Sequence, residues 1–136
     1  MKVVLDTNVL VSGLLVQGSV PSEILRDFRD GQWILVLSGA ILEEYGRVLR
    51  RKKFDLSTAN IESMLRLIEN KALKVIPSEH FTIIHQDPSD NEFLDVAVEC
   101  HADFIVSGDQ HLLALKRFRG IPILLPSEFL KALREI

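Results

Sequence analysis

The sequence predicts an α/β domain built on a parallel sheet. Three observations carry this: short apolar runs alternate with stretches of helical periodicity along the whole chain, glycine, proline or a small polar residue punctuates these units, and acids stand at the ends of two of the apolar runs. About five strands are expected, joined by right-handed crossovers that cover both faces of the sheet.

The first strand is Lys2 to Leu5, ended by Asp6-Thr7-Asn8, residue types that stop strands and cap helices. From Pro21, Ile24, Leu25 and Phe28 give one apolar helical face, and Gly31 is placed to stop that helix. Trp33 to Leu37 reads as the second strand. Ser38 can cap the next helix, where Ile41, Leu42, Tyr45, Val48 and Leu49 recur at helical spacing up to the basic segment Arg50 to Lys53. Ser57 or Thr58 opens another helix, with Ile61, Met64, Leu65 and Ile68 on one face, leading into a third strand at Leu73 to Ile76.

Phe81 to Ile84 fits either a strand extension or a loop. Asp87-Pro88 reads as a cap followed by a first-turn proline, and Phe93, Leu94, Ala97, Val98 and Cys100 supply the inward face of the helix that follows. Phe104 to Val106 is the fourth strand. Gln110 to Phe118 then reads as a helix, Ile121 to Leu125 as the fifth strand, and Ser127 to Arg134 as a closing helix.

The chain has 136 residues, of which 47% are hydrophobic, enough for one continuous core and one domain spanning residues 1–136. Apolar stretches such as Val9 to Val16 fall well short of the roughly 20 residues that span a bilayer. The opening apolar run meets Asp6 too soon for a signal-peptide core, so a cytoplasmic location is expected. Cys100 has no partner for an internal disulfide and reads as a small buried hydrophobe. The net charge of −3 repels polyanions as a whole. Attraction to nucleic acid must therefore be local, through arginine and lysine patches or a bound cation.

In parallel sheets the binding crevice lies beyond the carboxyl ends of the strands, where Asp6 and Asp109 stand. Helical phase, at about 100° per residue, sorts the remaining acids. Glu44 falls roughly 100° from the centre of its helix's apolar face and Glu43 roughly 160° from it, so Glu44 borders the packed side and Glu43 points to water. By the same count Asp90 lies close to the packed face, whereas Glu92, Asp95 and Glu99 lie well away. An inward carboxylate is costly unless it is paired, hydrogen-bonded or bound to metal. Taken singly, Asp90 suits an early helical position favoured by the dipole, and Asp6 and Asp109 suit helix caps. Capping alone does not require that the four converge.

The residues resemble the PIN domain family, in particular its small, toxin-like prokaryotic members. Val4-Leu5-Asp6-Thr7-Asn8-Val9-Leu10 resembles the family's first-strand motif, and Glu44-Tyr45-Gly46-Arg47-Val48-Leu49 the helix bearing its second acid. Asp87 to Leu94 with Ala97 resembles the third segment, and Val106-Ser107-Gly108-Asp109 followed by His111-Leu112-Leu113 the fourth, where threonine is more usual than Ser107. The resemblance implies a three-layer α/β/α sandwich and a magnesium- or manganese-dependent endoribonuclease. Asp6, Glu44, Asp90 and Asp109 form its acidic cluster and metal ligands, with Asn8 and Ser107 as supporting polar residues. It also implies a homodimer and an antitoxin protein as partner.

Oxygen-only ligands suit Mg²⁺ or Mn²⁺, and His80, His85, His101 and His111 show no compact metal spacing. RNA attraction could come from Arg47, Arg50, Arg51, Lys52 and Lys53, or from Lys116, Arg117 and Arg119, all of which also read as solvated charge runs. The alternative function is a non-catalytic PIN-like RNA-binding or scaffold module, for which loss of one or more acids would be the usual sign. An aspartyl-phosphate transfer domain would also use a first-strand aspartate, but Asn8 and the lysine-free stretch Ile121 to Ser127 argue against it.

Overall fold

In the computed structural model, which describes residues 1–136, the chain forms β1 (Lys2–Leu5), α1 (Thr7–Leu15), α2 (Val20–Arg29), β2 (Ile34–Leu37), α3 (Gly39–Leu49), α4 (Thr58–Lys71) and β3 (Leu73–Lys74). It continues through α5 (Asn91–Glu99), β4 (Phe104–Val106), α6 (Gln110–Leu113), β5 (Arg117–Phe118), β6 (Ile121–Leu124) and α7 (Pro126–Arg134), with short 3-10 turns at Lys52–Phe54 and Pro88–Asp90. The seven helices flank one sheet ordered β3-β2-β1-β4-β6-β5. All pairings are parallel except β5 with β6.

The central strands are continuous apolar runs because both of their faces are covered: Val3, Val4, Leu5, Val36, Ile105 and Val106 have no exposure at all. Helix starts follow side-chain chemistry. The hydroxyls of Ser19, Ser38 and Ser57 accept the backbone N–H groups of Ser22, Ile41 and Asn60 at 3.3, 3.3 and 3.1 Å. Trp33 anchors one side of the sheet, stacking obliquely on Phe28 and edge-on to Phe129 while its indole N–H donates to the Ile24 carbonyl at 2.9 Å.

Three expectations need correction, and one helix was not anticipated. The expected parallel strands number five, and Arg117–Phe118 turns back beyond them as a sixth, antiparallel edge strand, so the helix expected through Phe118 stops at Leu113. The cause is local: Lys116 and Arg119 adopt left-handed backbone conformations, with φ of 60° and 51°, that no helix continues through. Thr7–Leu15 is a helix that hydropathy phase does not reveal, because Val9, Leu10, Val11 and Gly13 are all buried and leave no clean polar face. The third strand is only Leu73–Lys74, and Ile76 beyond it is exposed. Asp95 is buried, not solvated: the irregular segment containing Phe81 folds along α5, and the Phe81 N–H donates to the Asp95 carboxylate at 2.7 Å. Phe81 to Ile84 itself is a loop, its Ile83 and Ile84 N–H groups held at 3.0 and 2.9 Å by the buried Asn91 side chain.

The connections place the crevice. From β1 the chain moves outward to β2, whereas from β4, on the other side of β1, it moves the opposite way to β6. The loops leaving β1 and β4 therefore diverge, opening a crevice at their carboxyl ends.

Candidate active site

Asp6 leaves β1 into that crevice and is 3% exposed. Its N–H donates to the Val106 carbonyl at 2.9 Å, which ties the end of β1 to the end of β4. One carboxylate oxygen accepts the Ser107 hydroxyl at 2.6 Å and the other the Asn8 N–H at 3.5 Å. The same Ser107 oxygen accepts the Asp109 N–H at 2.9 Å, so one buried hydroxyl links the two strand-end acids. Asp109 in turn caps α6, accepting the His111 N–H at 2.7 Å. Asn8 thus serves through its backbone, with its side chain exposed.

Glu44 reaches the crevice from α3, where phase placed it. Its side chain is 12% exposed, accepts the Thr7 hydroxyl, and lies 3.8 Å from the Arg47 guanidinium. Glu43, one position earlier, is exposed as expected. Sequence reasoning did not single out Thr7; the signal was its place between Asp6 and Asn8 at the start of a helix. The next residue on α3, fully buried Tyr45, donates its hydroxyl to the Leu5 carbonyl at 2.5 Å. Burial and the charges of Asp6 and Glu44 push this phenol well above its ordinary range.

Asp90 ends the 3-10 turn before α5, is 5% exposed, and has a fully buried Oδ2 with no hydrogen-bond partner. Burial first, then the charges of Asp109, Asp6, Asp87 and Glu44, push its carboxyl up to about 8. Asp6 is pushed up to about 6, chiefly by burial and further by Asp109 and Glu44, against the lowering effect of its Ser107 and Asn8 hydrogen bonds. The four acids therefore share one electrostatic environment. Glu92, expected in water, belongs to its margin: it is half-buried and raised by desolvation and then by Glu44 and Asp95.

No three acidic, histidine or cysteine side chains form a ready-made metal cage. The donor set still fits a hard divalent cation: it is all oxygen, it is mutually repelling, and it includes an orphaned buried carboxylate oxygen aimed at no protein group. The basic residues are dispersed. Arg47 stands beside Glu44, whereas Arg50 donates to the Gly46 carbonyl at 3.1 Å and lies 3.7 Å from Glu62. Arg51, Lys116 and Arg117 are exposed, and Arg119 stacks over Phe81 within 3.8 Å of Glu79.

A parallel sheet with acids gathered where the loops of its middle strands diverge defines a class, and residues 2–111 match the PIN domain family. The chain belongs to that family, whose fold is of nuclease type. It is similar to an uncharacterized protein of Methanocaldococcus jannaschii, with 29% identity over 119 residues covering 85% of this chain and 76% of the relative. No helix is long and apolar enough to cross a membrane.

Proposed function

We propose that the crevice hydrolyses RNA phosphodiester bonds with the help of a divalent cation, making the chain an endoribonuclease. The observation that carries the reading is Asp90: a buried carboxylate with an unpartnered oxygen, facing Asp6, Asp109 and Glu44 rather than a cation of the protein's own. Asp6, Asp90 and Asp109 would hold Mg²⁺ or Mn²⁺, with Glu44 completing the set. When bound, the ion offsets the clustered charge, lowers the pKa of an attacking water and neutralises developing charge on the scissile phosphate.

The chain's own groups prepare that site. Ser107 orients Asp6 by donating to it and fixes Asp109 by accepting its N–H. Thr7 holds Glu44, and Arg47 sits beside them where a substrate phosphate would meet a positive charge. In the ion-free protein Asp90 keeps its proton on the carboxyl up to about pH 8, so loading the site displaces a proton and becomes easier as pH rises.

Cleavage of labelled single-stranded RNA, with Mn²⁺ or with EDTA, tests the reading. Wild type should cut only with the metal. Asp6→Asn and Asp109→Asn, confirmed as folded by circular dichroism, should lose more than the roughly 10–100-fold that removing a ligand's hydrogen-bond partner costs. Equal cleavage by all three proteins would refute it. Resemblance to the small toxin-like members extends the proposal to a toxin held by an antitoxin and to a homodimer; co-purification with the product of an adjacent gene and sedimentation velocity test these.

A further inference from the structure

A cleft with a volume of about 650 Å³ lies away from the acids, among α1, α2 and α4. Arg26 and Arg29 enter it from α2, and Asn60, Ser63, Arg66 and Asn70 from α4. No acidic side chain lines it, in a chain whose net charge is −3. All three guanidiniums are exposed, and none belongs to any of the chain's ion pairs. The arginine side chains that do donate hydrogen bonds are Arg50 and Arg134, elsewhere.

A structural role accounts for part of this. Arg26 and Arg29 lie in the last turn of α2, where cations offset the carbonyl end of a helix. However, Lys71 already donates to the Arg29 carbonyl, and Arg66 sits inside α4, far from any helix end that needs it. Three arginines lining one cleft that has no acid in its lining favour an anionic occupant.

The lining also says which anion. Guanidinium groups match phosphate oxygens in a bidentate fashion, and amide and hydroxyl side chains bond phosphate and sugar. The cleft contains no aromatic ring on which a base could stack. It is suited to a nucleic-acid backbone, independent of base sequence. Helix α1 connects the two places: it begins next to Asp6 and brings Gly13 and Leu14 to the cleft. At 1.5 Å per residue the cleft starts roughly 10 Å along the helix from Asp6.

We propose that the cleft formed by Arg26, Arg29 and Arg66 binds the phosphate backbone of single-stranded RNA flanking the segment that enters the acidic crevice. This rests on RNA being the substrate of the crevice. It gives an acidic protein the local attraction to a polyanion that its overall charge denies.

Fluorescence anisotropy of a labelled oligoribonucleotide in EDTA, which prevents cutting, provides the test. Arg26→Gln/Arg29→Gln/Arg66→Gln should bind roughly tenfold more weakly or worse, and the slope of log affinity against log salt should fall by about 2. Lys131→Gln, at an exposed position of α7, should stay within about twofold of wild type. Arg66→Gln alone, expected to lose roughly threefold, keeps the test available if the triple variant fails to fold.

Unchanged affinity in the variants, with wild type binding and cutting RNA, would overturn the cleft while leaving the crevice standing. Wild type that neither binds nor cuts RNA would overturn both. Displacement of the RNA by inorganic phosphate at equal phosphate concentration, or by an oligoglutamate of equal charge as readily as by unlabelled RNA, would make the cleft a small-anion or acidic-peptide site and overturn the proposal.

Discussion

Asp27 and Asp90 are 8% and 5% exposed, yet the molecule treats them in opposite ways. On α2, Asp27 receives the Arg134 guanidinium of α7 at 2.8 Å, with Glu23 at 4.0 Å from the same arginine, so its charge is met where two helices pack. Asp90, at the head of α5, meets four other acids and leaves one oxygen unbonded. Asp95, further along α5, sides with Asp27: the Phe81 N–H, and the His80 ring at 3.3 Å, satisfy it. Elsewhere in the fold, then, burial of a carboxylate comes with a partner. In the crevice it comes with repulsion, which is the mark of a site organised for something other than stability.

The contrast can be broken from either side. Arg134→Ala should have the larger effect on stability, lowering it by about 2 kcal/mol because it leaves the Asp27 charge without its donor. Thermal melts at neutral pH check this; an unchanged midpoint would mean that the Asp27 carboxylate finds water as readily as its arginine.

Asp90→Asn should act in the reverse sense, stabilising the ion-free protein by about 1 kcal/mol at pH 9. The sign follows from the raised carboxyl. The folded state holds a proton on Asp90 that the unfolded chain releases at ordinary acid pH, so this contribution is complete below about 4 and is lost as pH rises through about 8. The variant's advantage should therefore be absent at pH 4 and greatest above pH 8. Destabilisation at pH 9 would show that ionised Asp90 is paired after all.

How far the sequence exposes each of these acids depends on what satisfies them. Asp6 and Asp109 were legible from strand ends, since Asp6 directly follows buried β1 and Asp109 stands three residues beyond the end of buried β4, both at the sheet's rim. Glu44 and Asp90 were legible from helical phase, Glu44 at the border of the apolar face of α3 and Asp90 at the head of α5 in line with its packed face. Asp95 was not: phase describes one helix in isolation, and the chain that folds over the outer side of α5 is irregular. Buried Ser107, which joins Asp6 to Asp109, matched a motif position, but its double role needed coordinates. The basic cleft escaped for a similar reason. Arg26 and Arg29 stand on one helix and Arg66 on another, and only packing brings the three to one cavity.

The fold divides along the same line. Buried strands and serine-capped helices follow from local pattern, whereas α1, apolar on too many sides, and the two-residue edge strand β5 are set by tertiary context.

The central claim is that Asp6, Asp90, Asp109 and Glu44 are left to repel one another because a divalent cation belongs among them. Titration of ion-free protein with Mn²⁺ by calorimetry, at pH 7 in two buffers of different ionisation enthalpy, tests it most directly. Saturable binding accompanied by proton release, abolished in Asp6→Asn and with the proton release lost in Asp90→Asn, is the predicted result. Equal Mn²⁺ binding by wild type and both variants, or no binding by a folded wild type, would contradict it.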